Sequence, residues 1–159
     1  MNRIILLFAF FLTLGCAAGS AQGSKIIELR SLLSPGRSVA VVFKDLTDDI
    51  DEKDAYIKEY LRAWSEWVVV EDVNKADFIL YVEGYSKWTG YSHTSKTYFM
   101  TAKIQTPARD TLWEEEPVYD WANLGNGLRA VRGVSRQLVR GLLLDLRKVI
   151  GETPVIVTV

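Results

Sequence analysis

The stretch from Leu128 to Val149 most narrows what this chain can fold into. Leu128, Val131, Ser135, Leu138, Leu142, Leu146 and Val149 recur at spacings of three and four, the period that lines side chains along one face of an α-helix. A long helix with one apolar stripe must lay that stripe on something, and the preceding segments supply a sheet. Val39-Ala40-Val41-Val42-Phe43 is an unbroken apolar run and predicts a buried strand. Trp67-Val68-Val69-Val70 predicts another. Between them Ile57, Tyr60, Leu61 and Trp64 mark the apolar face of a second helix, with Asp51 as its cap and Glu52 and Asp54 at its positive end. A parallel return of the second strand beside the first makes a right-handed βαβ unit.

The middle of the chain changes period. Asp77 to Trp88 reads as a long strand. In the next, over 97–106, Tyr98, Met100, Ala102 and Ile104 alternate with Thr97, Thr101, Lys103 and Gln105, the pattern of one face on a core and one in water. Pro107 to Asp110 turns the chain into Thr111-Leu112-Trp113, completing an antiparallel meander. Shorter signals fill the gaps: a brief helix over 24–33 stopped by Ser34-Pro35-Gly36, an acidic loop over 45–51, a loop over 89–96 and a breaker from Asn123 to Gly127. Pro154 precedes Val155-Ile156-Val157, an edge strand or a loose tail. The fold class predicted is α+β: a mixed sheet, βαβ unit then meander, with two main helices on one face.

The first residues are of another kind. Met1-Asn2-Arg3 is followed by an apolar run from Ile4 to Leu14, interrupted only by Thr13, and then by small residues up to Ala21. That order is a secretory signal peptide. The run is about half the roughly 20 apolar residues that a membrane-spanning helix needs. Two processing routes stay open. Gly19-Ser20-Ala21 before Gln22 suits ordinary cleavage, whereas Leu14-Gly15-Cys16 resembles a lipobox, with Cys16 as the lipidation candidate and Thr13 and Leu14 departing from its pattern. The expected organisation is a leader over 1–21 (or a lipoprotein leader ending at 15), one domain over 25–150 and a tail over 151–159. The expected location is the periplasm or the outer membrane, with membrane association only if Cys16 is lipidated.

About 137 residues follow the leader, enough for one real core. Of the 19 Lys and Arg only Arg3 lies in the leader, against 20 Asp and Glu, so the remainder is slightly acidic and unsuited to general nucleic-acid binding. With Cys16 the only cysteine and His93 the only histidine, no internal disulfide and none of the usual zinc ligand sets is available. His93 beside Ser92 makes no triad without a placed carboxylate, and no Gly-rich phosphate loop occurs. No cofactor, no metal and no catalytic residue is expected. Gly125-Asn126-Gly127 reads as a turn and cap. In Glu114-Glu115-Glu116, alternation lets only Glu114 and Glu116 converge, and solvated edge charges explain the run.

Three motifs, in this order, carry a resemblance: the Val39–Phe43 strand, Ala76-Asp77-Phe78-Ile79-Leu80-Tyr81-Val82-Glu83-Gly84, and Leu112-Trp113-Glu114 before a long helix. Over roughly 38–150 the chain resembles small exported α/β modules of cell-envelope proteins, of the curli-secretion lipoprotein and TolB amino-terminal type and related bacterial envelope families. The leader, with Ser20-Ala21-Gln22, looks like those of Bacteroidota. The resemblance implies an envelope component that binds or assembles rather than catalyses.

Two surfaces are the candidate binding residues. Arg129, Arg132, Arg136 and Arg140 fall at spacings of 3, 4 and 4 on the side of the long helix away from Leu138 and Leu142; such a row suits an anionic envelope surface or an acidic protein partner. Trp88, Tyr91, His93 and Tyr98 surround the loop between the two long strands, where aromatics would grip a small ligand or glycan, or where Trp88 and Tyr98 simply pair across the hairpin.

Overall fold

In a computed structural model the described residues are 26–32, 34–48, 50, 54–89, 95–123 and 127–149. Cys16, Tyr91 and His93, the leader, the Asp51 cap and the tail all lie outside them. Helix α1 covers 26–32, followed by β1 (Ser38–Asp45), α2 (Ala55–Trp64), β2 (Val68–Val70), a 3₁₀ turn at Val73–Lys75, β3 (Phe78–Thr89), β4 (Ser95–Gln105), β5 (Thr111–Glu114), β6 (Val118–Asn123) and α3 (Gly127–Val149).

The sheet is mixed, as the patterning predicts. Its order is β2-β1-β3-β4, with β5 and β6 both against the outer side of β4. β1 runs parallel to β2 and to β3, and β3 to β4 to β5 is an antiparallel meander. β6 is a strand that the periodicity reading missed: it pairs antiparallel with the first half of β4, Tyr98 opposite Asp120 and Met100 opposite Val118. β5 and β6 are two halves of one edge. Between them Glu115, Glu116 and Pro117 stand opposite only Thr101 and Ala102, a bulge of the sort that blunts sheet edges.

The core lies between the sheet and the helices. Val39 and Val41 of β1, Phe78, Leu80 and Val82 of β3, and Met100, Ala102 and Ile104 of β4 meet Ile57, Tyr60, Leu61 and Trp64 of α2 and Val131, Leu138, Leu142 and Leu146 of α3 in one buried cluster, which Leu29 and Leu32 of α1 join. Trp67 packs edge-on between Trp64 and Phe78, with ring centroids at 4.7 and 4.8 Å, the arrangement favoured by ring quadrupoles. A register shift between Ile104 and Gln105 brings Leu112 into the core beside Trp113. Gly84 is required by close approach, since a Cβ there would lie 2.5 Å from Phe43 Cζ.

The start of α2 differs from expectation. Asp54 is its cap residue and makes no side-chain capping bond; its carboxylate instead pairs with Lys58 at 2.7 Å, one turn on.

Candidate functional site

α3 packs against β4 and β6 and against α2, which leaves its arginine side facing out. Arg129, Arg132, Arg136 and Arg140 are all exposed. The first three, with Gly133, form one wall of a groove of about 590 Å³, and Glu59, Tyr60 and Ala63 of α2 form the other. The four guanidinium groups are not equivalent. Arg132 donates to Glu59 Oε1 at 2.7 Å and to the Tyr60 hydroxyl at 3.3 Å, and lies over the Tyr56 ring at 5.7 Å. The Tyr60 hydroxyl and then Glu59 hold its charge more firmly than usual. Arg129, Arg136 and Arg140 have no ion-pair partner among the described residues. The row therefore has one arginine committed to the fold and three directed at solvent, each able to grip a carboxylate or phosphate by paired N–H donors.

The aromatic loop site is divided by the structure. Trp88 is 54% exposed at the end of β3, but Tyr98 is 7% exposed and belongs to the core. Strand register explains this: Trp88 stands opposite Lys96, and Tyr98 opposite Ser86, so the two aromatics are diagonal rather than a direct pair. The Lys96 ammonium lies over both rings, 5.2 Å from Trp88 and 5.7 Å from Tyr98. Tyr98 is thus corrected from a surface binding residue to a core one.

The acidic run is also divided. Glu114 pairs with Lys103 at 3.1 Å, and it and Glu116 are both exposed at the rim of one hollow. Glu115 points inward. It is 5% exposed and accepts from Trp113 Nε1 at 3.3 Å. Burial pushes its carboxyl pKa up, against the Trp113 hydrogen bond. It belongs to the same hollow, of about 340 Å³, with Asp145 and Lys148. Among the described residues no group of His, Cys, Asp or Glu is placed to hold a metal ion, and no helix is long and apolar enough to cross a membrane.

A further surface was not foreseen. On the sheet face away from the core cluster, Tyr85, Phe99 and Tyr119 line up across β3, β4 and β6. Tyr85 and Phe99 stack at 4.8 Å with an 8° interplanar angle, and Phe99 meets Tyr119 at 5.9 Å. The next row is Lys87, Thr97 and Trp121. Tyr119 and Trp121 are 64% and 61% exposed. The sequence signal for them was the alternation Tyr119-Asp120-Trp121-Ala122, two aromatics on one face of a strand.

No family model and no curated protein matches the chain. Among solved structures, a PelC variant dodecamer from Paraburkholderia phytofirmans superposes with a TM-score of 0.52 at 13% identity, over 69% of this chain and 90% of that one. A hypothetical protein from Chlamydia trachomatis gives 0.49 at 10% identity, over 73% and 98%. A lipoprotein from Neisseria meningitidis gives 0.43 at 12%, over 65% and 95%. At such identities the likeness is one of fold: the chain is similar to PelC in its α+β architecture.

Proposed function

We propose that the chain is a non-catalytic component of a bacterial cell envelope that works by binding, and that it docks on an anionic envelope partner through Arg129, Arg136 and Arg140. The observation that carries this reading is the row itself: three exposed guanidinium groups, without ion pairs among the described residues, on one line of a helix whose opposite side is the core. Clustered positive charge on a slightly acidic chain is a local device for an anionic surface. The organisation proposed is a leader ending near Ala21, or a lipid-bearing Cys16, followed by one domain over 25–150. The leader's sequence supports export, and the resemblance to curli-secretion and TolB-type envelope modules supports a binding or assembly role.

The test is flotation with vesicles of phosphatidylglycerol and of phosphatidylcholine, comparing the wild-type chain without its leader with Arg129→Gln/Arg136→Gln/Arg140→Gln. Flotation of the wild type on the anionic vesicles alone, lost in the triple variant, is the expected result. Equal flotation of both proteins removes the row as the docking surface. Arg132→Gln should lose less than Arg136→Gln, because Glu59 already occupies Arg132.

A further inference from the structure

The geometry points to a second binding site, on the sheet face opposite the core cluster, for an acidic saccharide: we infer that Trp121 and Tyr119 stack on its sugar rings while Lys87 takes its carboxylate. The site is independent of the arginine row, which lies on α3 on the other side of the sheet. Its frame is a grid of two rows across β3, β4 and β6: Lys87, Thr97 and Trp121, then Tyr85, Phe99 and Tyr119. Neighbouring strands are about 4.8 Å apart, and alternate residues along a strand about 6.8 Å apart. Trp121 and Lys87 thus stand roughly 10 Å from each other, with the short, buried Thr97 between them.

Each part of the grid has a chemical consequence. The stacked Tyr85 and Phe99 rings satisfy one another and fix the platform. Tyr119 and Trp121 are the exposed members, and each offers an apolar ring with a polar tip. A sugar matches that combination, with its C–H face for the ring and hydroxyls for the tip. Thr89 and Thr97, with hydroxyls 3.2 Å apart, add hydrogen-bonding groups alongside. The charge selects an acidic sugar. Lys87 is the one ionised residue of the grid; its ammonium lies 5.3 Å from the Tyr85 centroid and 5.9 Å from that of Phe99 and has no ion pair among the described residues. The nearest carboxylate along the strand, Glu83, is engaged by Tyr81 at 3.2 Å and Lys44 at 3.7 Å. An ammonium held beside ring faces is drawn to them and, exposed as Lys87 is, remains available to an anion.

The test uses calorimetric titration of the chain without its leader, with alginate oligomers as the uronic-acid probe and dextran oligomers of the same length as the neutral one. The wild type should bind alginate in preference to dextran. Trp121→Ala should weaken binding at least about tenfold, in the range of a lost aromatic hot spot. Lys87→Gln should abolish the preference for alginate. Both positions are exposed, and circular dichroism matching the wild type establishes that the variants fold. No alginate binding, or binding unchanged in Trp121→Ala, overturns the site. So does loss confined to the triple arginine variant, which would place the anion on α3 and leave the docking proposal standing.

Discussion

The Asp77 carboxylate accepts the backbone N–H of Ser38 at 2.7 Å and its hydroxyl at 2.7 Å, joining the first residue of β1 to the residue before β3. Asp77 N–H donates back to Ser38 Oγ at 3.0 Å, and Arg37 adds an ion pair at 3.1 Å. The Ala76-Asp77 motif is therefore a clasp that sets the register of the two parallel central strands.

The bond from the Ser38 amide, followed by that from its hydroxyl, lowers the Asp77 pKa below the ordinary carboxylate value. A lowered carboxylate contributes stability above its unfolded pKa and loses it as pH falls through its folded pKa. Asp77→Asn should cost roughly 1 kcal/mol at pH 7, the net worth of a hydrogen bond, and the gap from wild type should close in acid below the usual Asp range. Urea midpoints at several pH values check this. A gap constant down to the lowest pH contradicts it.

Gly133 of α3 lies directly against Asp120 of β6, so that a Cβ there would overlap Asp120 Oδ2. Gly133→Ala forces the Asp120 carboxylate to swing aside, which should offset the roughly 1 kcal/mol that alanine gains as the better helix former. In an Asp120→Ala background the same change should become stabilising. A double-mutant cycle in denaturant measures the coupling, and additive costs would show that the two residues do not meet.

Glu115 works in the opposite direction to Asp77. Burial raises its pKa, so the folded state binds its proton more tightly than the unfolded chain. The favourable contribution is full below the ordinary Glu range and is lost as pH rises through the raised value. Glu115→Gln keeps an acceptor for Trp113 Nε1 and removes the buried charge. It should therefore raise the melting temperature at pH 8 and leave it nearly unchanged at pH 4. Thermal melts across that interval decide it, and a variant less stable at pH 8 refutes the account.

Much of the architecture was legible because single faces are buried. Ile57, Tyr60, Leu61 and Trp64 on α2, and Val131, Leu138, Leu142 and Leu146 on α3, were readable from spacing, and all are in the core. β6 was not, because both of its aromatics face solvent and Pro117 masks its continuity with β5. Alternation places Glu114 and Glu116 outside and Glu115 inside; the burial of Glu115 departs from a run of solvated edge charges, and it depends on Asp145 and Lys148 of α3, far away in sequence. The arginine row was readable as a row, but not the commitment of Arg132 to Glu59, which depends on a residue far away in sequence. The aromatic grid depends on register among three strands, and no local pattern encodes it.

The central claim is that exposed guanidinium groups on α3 hold the domain to an anionic surface. The most direct measurement is the salt dependence of partition onto phosphatidylglycerol vesicles. Exposed charges are screened over about 8–10 Å near physiological ionic strength and over about 3 Å at 1 M. Wild-type partition should fall steeply as salt rises, and Arg129→Gln/Arg136→Gln/Arg140→Gln should show a weaker partition with a shallower slope. Wild-type partition that is indifferent to salt, or the same slope in both proteins, would contradict the claim.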